Sequence, residues 1–440
     1  MVQAATGGRV KFDRRAVFSW CSYDWANSAF TTLVVTFIYS TYFSGAFAAD
    51  AARGTVLWSR AIVISAVLIA LLSPVLGAVA DRSGRRRRYL IISTLVCCAF
   101  TVLLAFMEPG TGGAALRALT VFIIANVAFE VAMVFYNAFL PALASRDMIG
   151  RVSGWGWALG YIGGLVAMAI ALYGFVRPET PWFGIPADGD FRYRATNLLV
   201  AAWFLLFSIP MFLFVRDTKP TGKVDVGGAF RELGQTFRNL GEFGEVGKFL
   251  LARLIYNDGL VTLISFSGIF AAGTFGMSLG EVTFLGMALN IAAGLGAFAF
   301  GFVDDRLGGK KTVLISLVAL CIAVVVGVSA SSKTGLWAAG IIIGVFLGPI
   351  QSASRSLMGR FTPARHQSEF FGFYAFSGKA TAFLGPLVLG LVTAWFGQRV
   401  GVATVIGFFM LGGAILFTVN EERGIAVAVA HDATAHASGD

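Results

Sequence analysis

Twelve apolar runs, each of about twenty residues or more, divide this chain. They lie near 18–47, 57–80, 89–107, 115–143, 152–176, 195–215, 247–273, 280–303, 311–330, 335–359, 369–396 and 400–419. A helix needs about 20 apolar residues to cross a hydrocarbon core of ~30 Å. In lipid, every backbone polar group must be satisfied within the chain, so each run is expected to be a helix. The composition agrees: 57% hydrophobic and 13% charged residues exclude a soluble globular domain. The expectation is an all-α membrane protein of twelve transmembrane helices. An even number puts both ends on one side.

Lysine and arginine choose the side, because loops rich in them stay in the cytoplasm. The segments on the same side as the termini carry 23 of them, against 8 in the opposite set. Both termini are therefore expected to be cytoplasmic, and the +10 net charge reflects these loops. Arg253, Arg355 and Lys379 remain, inside spans. The cluster Arg82 and Arg85–Arg88 would suggest nucleic acid in a soluble chain. Pinned between two spans, it reads as a loop at a membrane surface, and no nucleic-acid partner is expected.

The chain repeats itself. GAVADRSGRRRR (77–88) returns as GFVDDRLGGKK (301–311), and SGWGWALGYIGG (153–164) is echoed by FGFYAFSGKATAFLGP (371–386). Asp81 and Asp305 differ by 224 positions, while Gly154/Gly372 and Gly160/Gly378 differ by 218. Such offsets indicate a six-plus-six repeat. The expected organisation is a short N-terminal segment (1–17), a six-helix bundle (18–215), a linker (216–246), a second bundle (247–419) and a disordered tail (420–440). In the linker, Phe230, Leu233, Phe237 and Leu240 recur at helical spacing beside Arg231 and Arg238. That pattern fits a helix lying on the membrane face; a solvated linker is the alternative. Pro141 and Pro386 are expected to kink their spans.

Charges inside spans are costly and need an explanation. Asp24, Asn27, Ser28 and Thr31 form one polar stripe on the first span. Asp258, Thr262 and Ser265 repeat that pattern on the seventh. Asn126, Glu130 and Asn137 share a face of the fourth. A carboxyl in a half-dry cavity can exchange a proton near neutral pH, because desolvation disfavours its anion. Asp24 is the first candidate for that role, Glu130 the second and Asp258 the third. The bland reading is a buried carboxylate held by Tyr23, Tyr256 or an Asn. Lys379, about 15 Å into the eleventh span, cannot easily reach the surface, so it pairs with a carboxylate or holds a substrate's. Arg253 and Arg355 lie nearer the surface and are expected to snorkel to it. Gln351, one turn before Arg355, is a candidate hydrogen-bonding partner for substrate.

The loop with Gly77, Asp81, Arg82, Gly84, Arg85 and Arg86 resembles the signature loop of major facilitator superfamily transporters. Its second copy keeps Asp305 and Arg306. A narrower resemblance runs through YDWANSAF (23–30), YNAFLP (136–141), RVSGWGWALGYIGG (151–164), YNDG (256–259), QSASRSL (351–357) and EFFGFYAFSGKATAFLGP (369–386). These resemble the fungal vacuolar amino-acid effluxer family and its compact bacterial relatives. The resemblance implies two six-helix bundles and places Asp24, Glu130 and Asp258 around a central path. It implies a latch in which Gly77, Asp81, Arg82, Gly84 and Arg85, with Asp305 and Arg306, engage helix ends and favour the outward-open state. It also implies movement of a small, amino-acid-like solute.

The expected function is secondary active transport by alternating access with proton coupling, in the inner membrane of a bacterium. The alternative is a cation-coupled carbohydrate or organic-solute symporter, with Na⁺ held by paired acids. From another class comes a receptor or scaffold, which would not need polar stripes in several spans. No enzyme is expected: there is no Walker loop or nucleophile elbow. His366, His431 and His436 make no metal spacing, and no cofactor is implied. Cys21, Cys97, Cys98 and Cys321 read as small core residues. The partners expected are a small-molecule substrate, a proton or sodium ion and membrane lipid, with the chain a monomer. No cleavable signal is expected, since the first run is too long.

Overall fold

The computed structural model describes residues 12–437 apart from 111, 187–188 and 218–242. Among the described residues there is no strand. The linker helix expected around Phe230–Leu240 lies outside them.

Among the described residues, twelve helical rods cross the molecule. α1 runs as Arg14–Ala29, passes through a π-helical stretch at Phe30–Phe37 and ends as Tyr39–Ala46. α2 (Ala51–Ser83), α3 (Arg86–Ala105), α4 (Ala114–Ala138), α5 (Ile149–Ala171) and α6 (Phe191–Phe214) complete the first half. α7 (Gly244–Phe275), α8 (Leu279–Leu307), α9 (Gly309–Ser329) and α10 (Lys333–Phe361) follow. α11 is split into α11a (Gln367–Lys379) and α11b (Leu384–Phe396), and α12 spans Gln398–Phe417. Eleven of these rods, α11 taken through its break, are long and apolar enough to cross a membrane. The twelfth is α1, which is interrupted by its π stretch.

Local chemistry sets the ends. The Asp13 carboxylate accepts the Arg15 and Ala16 N–H groups and caps α1. Asp50 caps α2, and Ser278 with Glu281 forms a capping box at α8. Gly84 closes α2 in the left-handed region at φ 60°, where a side chain would be strained. Both expected kinks occur. α4 breaks at Phe139, and Pro141 opens the short helix Leu140–Leu143. α11 breaks over residues 380–383, just ahead of Pro386, which cannot donate the N–H that would bridge the break.

In the first half α1 packs on α5 and α6, and α4 on α2 and α3. In the second half α10 packs on α8 and α9, and α12 on α7 and α9. The halves meet along two seams, α2 with α11a and α5 with α8. Apolar residues such as Leu71 and Leu295 stay exposed, as suits faces turned to lipid.

Residues 421–437 of the tail are helical, not disordered. Glu421–Ala437 forms α13 across the ends of α10 and α7. The Glu421 carboxylate accepts the Gly309 and Lys310 N–H groups, and Gly424 lies against the Phe361 ring. The Asp432 carboxylate accepts the Ala364 N–H and reaches Arg146 of the first half at 4.0 Å. Small residues with local caps suffice for a helix once another surface receives it.

Candidate functional site

The first span's polar stripe points inward. Asp24 is 6% exposed and meets Arg355 of α10, with Nη1 3.0 Å from its Oδ2. Arg355, 2% exposed, spends its other donors on the Asn137 amide oxygen at 3.3 Å and on Ser153, its hydroxyl at 2.9 Å and its carbonyl at 2.7 Å. The guanidinium also lies 4.7 Å from the Trp20 ring, 5.5 Å from Trp157 and 5.7 Å from Tyr136. Asn27 donates to Asp24, and the Ser28 hydroxyl donates to the Asp24 carbonyl. Gly156 makes room for the pair: a Cβ there would sit 2.5 Å from the Asp24 carboxylate. A buried, fully bonded ion pair therefore fastens α1 of one half to α10 of the other.

Arg355 does not snorkel, and neither does Arg253. Arg253 is 7% exposed, lies 3.6 Å from the Tyr374 ring, and donates to the Tyr374 carbonyl and the Ser377 hydroxyl. Buried acceptors and rings hold both guanidinium groups more firmly than the surface could. Tyr23 and Tyr256 do not hold the nearby carboxylates; they bond Thr94 and Ser354.

A second pair also crosses the halves. Lys379, the last residue of α11a, lies 2.6 Å from Glu130 of α4. Their side chains remain 35% and 19% exposed, so this pair faces open space between the halves. Asp258, on α7, meets neither cluster. Gln351 is half-buried one turn from Arg355 and takes no part in that cluster's bonds.

The two copies of the repeated loop close the seams at the end of the bundle that carries the termini. The Asp81 carboxylate accepts the Ser368 and Glu369 N–H groups at 3.0 and 2.8 Å. These belong to the first turn of α11a, where the helix dipole favours an anion. In the same arrangement, Asp305 accepts the Gly150 and Arg151 N–H groups at the start of α5. Glycine allows each seam to close. A Cβ on Gly77 would lie 2.2 Å from the Ser368 carbonyl oxygen, and one on Gly301 would lie 2.8 Å from the Arg151 Cα. The offsets of 224 and 218 thus relate two equivalent contacts.

The expected latch named Arg82 and Arg85, and Arg86 of the same motif joins it. Asp81 pairs with Arg86 at 2.9 Å, and Arg86 also donates to Gln367, Ser368 and the Ala138 carbonyl. Arg82 is half-buried, and Arg85 is exposed. Gly84 turns the chain so that Arg86, in the first turn of α3, faces back into the seam. In the second copy, Asp305 bonds Arg151 across the seam, while Arg306 is exposed. Sequence reasoning missed Asp304. It is 1% exposed, bonds the Ser356 hydroxyl and pairs with Arg360 at 2.6 Å. The doubled acid of DDR was the available signal.

The bonds joining the halves run from the terminal end to mid-depth. Beyond that the halves part: α11b buries only Gly385 and Leu389, and Phe383 is 53% exposed.

The family model described as "Vacuole effluxer Atg22 like" matches residues 51–429. The chain belongs to this Atg22-like family. It is 30% identical over 412 residues to the "Uncharacterized MFS-type transporter YxiO" of Bacillus subtilis (strain 168), covering 92% of this chain and 94% of that one. Autophagy-related protein 22-1 of Penicillium rubens is 21% identical, over 81% of this chain and 73% of its own. Among solved structures, the proton:xylose symporter XylE aligns with TM-score 0.73 at 13% identity, over 93% of this chain and 96% of its own. The human organic anion transporter MFSD10 (TETRAN) aligns with TM-score 0.73 at 16% identity, over 92% and 99%. At such identities these structures give the fold alone, the major facilitator fold. The Atg22-like chain is thus a multi-pass membrane transporter of the major facilitator superfamily, not an enzyme.

Proposed function

We propose that this Atg22-like transporter moves an amino-acid-like zwitterion by alternating access, driven by protons. The observation that carries the substrate class is the Glu130–Lys379 pair. It holds opposite charges from opposite halves at mid-depth, and it is half-open to the cleft. A zwitterion can replace each partner in turn, its ammonium on Glu130 and its carboxylate on Lys379. A neutral sugar carries no charge with which to replace either partner. The family description, an effluxer, supports outward movement. With the termini in the cytoplasm, as the arginine-rich loops require, the closed seams face inward and the structure is outward-open. The membrane is then the cytoplasmic membrane of a bacterium, by analogy with the Bacillus relative.

Uptake of a radiolabelled mixture of neutral amino acids into proteoliposomes tests this, with and without Na⁺ and a protonophore. Lys379→Ala is expected to weaken uptake by about 10- to 100-fold, the worth of one charged hydrogen bond. Glu130→Gln should do the same. Unchanged uptake in both variants, with altered melting alone, would make the pair a structural tie. Accumulation that needs Na⁺ and ignores the protonophore would favour the cation-coupled alternative.

A further inference from the structure

We propose that the groove between α1, α5 and α8 holds one anionic phospholipid of the leaflet on the terminal side. Its phosphate sits on Arg14, and one acyl chain lies along the seam between the halves.

The groove has a volume of about 770 Å³, within the ~300–1,000 Å³ of sites that hold a whole ligand. Buried residues form its floor: Cys21 on α1, Ala158 on α5 and Gly294 on α8. Larger side chains rise beside them and stay exposed, Phe18 at 67% and Phe298 at 50%. Leu295, on a face turned to lipid, also lines the groove, so it opens sideways into the membrane. From Met148, which precedes α5, to Ile162 it runs about 21 Å at ~1.5 Å per residue. One leaflet with its head groups is ~20–22 Å deep, half of a whole bilayer. The groove therefore has the depth of one lipid.

A chain that leaves bulk lipid for this groove gains no hydrophobic energy, because lipid is as apolar as the walls. The head group must decide, and the lining offers it one charge. Arg14, in the first turn of α1, is the sole charged residue among those that line the groove. It is exposed, and its guanidinium has no hydrogen bond or ion pair among the described residues. The charges around it are engaged elsewhere. The Asp13 carboxylate accepts the Arg15 and Ala16 N–H groups, Arg15 lies 4.0 Å from the Phe214 ring, and Arg151 bonds Asp305. A free guanidinium at the mouth of an apolar groove fits a phosphate with its acyl chain below, and a head group of net negative charge best.

Two walls belong to the first half and one to the second. A Cβ on Gly294 would lie 3.4 Å from the Tyr161 Cβ, so α8 and α5 are in close contact here. Parting of the halves at α5/α8 carries Gly294 and Phe298 away from Ala158 and Phe18, and the groove is lost. A lipid seated in it therefore favours the closed terminal side, and opening of that side releases the lipid.

Photolabelling of the purified full chain in phosphatidylcholine nanodiscs tests this. The probe is a phosphatidylglycerol with a diazirine at the end of one acyl chain, and the labelled peptides are mapped by mass spectrometry. Label should concentrate around Ile162 and Ile291, at the deep end of the groove. It should fall about fivefold in Arg14→Gln, the worth of one cation beside an anionic head group, and equally with a phosphatidylcholine probe. Arg15→Gln, whose side chain points away, should label as wild type does. Asp305→Ala, which loosens the seam, should label less. Label spread evenly over lipid-facing helices, or unchanged in Arg14→Gln or with the zwitterionic probe, would mean ordinary surrounding lipid only and overturn the site. Full labelling of Asp305→Ala would overturn its link to the seam.

Discussion

Arg355→Ala should lower stability by about 3–5 kcal/mol and abolish transport. The substitution leaves Asp24 charged, buried and without its cation. It also removes the donors to Ser153 and Asn137, and the guanidinium among Trp20, Tyr136 and Trp157. Removing both charges is a different experiment. An apolar pair of similar volume, such as Asp24→Leu with Arg355→Met, should recover most of the lost stability, because a buried ion pair gains little over well-packed apolar residues. Transport should stay lost in that double variant. The pair spans the halves, so under the alternating access proposed here its breaking and remaking is expected to couple their movement. Thermal unfolding in detergent and uptake into proteoliposomes measure the two effects separately. A double variant that transports normally would reduce the pair to packing. An Arg355→Ala protein as stable as wild type would mean that Asp24 is not left buried.

The second large effect is expected at Asp81. Its carboxylate holds two N–H groups of α11a and the Arg86 guanidinium, all buried. Bonds to a charged group contribute about 1.5–3 kcal/mol each. Even part of that sum reverses a two-state population, since about 1.4 kcal/mol is tenfold. Asp81→Ala should therefore shift the protein toward the state open on the terminal side. Spin labels at exposed Arg85 and Ala364, after replacement of the half-buried Cys321, report the separation of α2 from α11a. A longer mean distance is the expected result. An unchanged distribution would count against the latch.

The rods were legible because hydrophobic length is a local property. Each run carries its own instruction to cross, and the repeated loop marks the halves. The partners of the charges were not legible. The stripe at Asp24 says that the acid faces inward, but nothing local points to Arg355, 331 positions away. Arginines near a helix end usually snorkel, and only three-dimensional placement of acceptors and rings keeps Arg253 and Arg355 inside. Five arginines in one loop look alike. That Arg86 faces back into the seam depends on the turn at Gly84. The tail was misread because small, polar composition resembles disorder when the surface that receives it is unknown.

The two latches look alike but will not answer alike to ionic strength. At α2/α11a, the acid and its arginine belong to the same half, and their side chains are 5% and 2% exposed. At α5/α8, acid and arginine sit on opposite halves, and Arg151 is 32% exposed. Mobile ions screen the second and barely touch the first. Salt should therefore loosen the α5/α8 side while the α2/α11a side still holds. The entrance on the terminal face then opens as a door hung on α2 and α11a, with its free edge at α5 and α8.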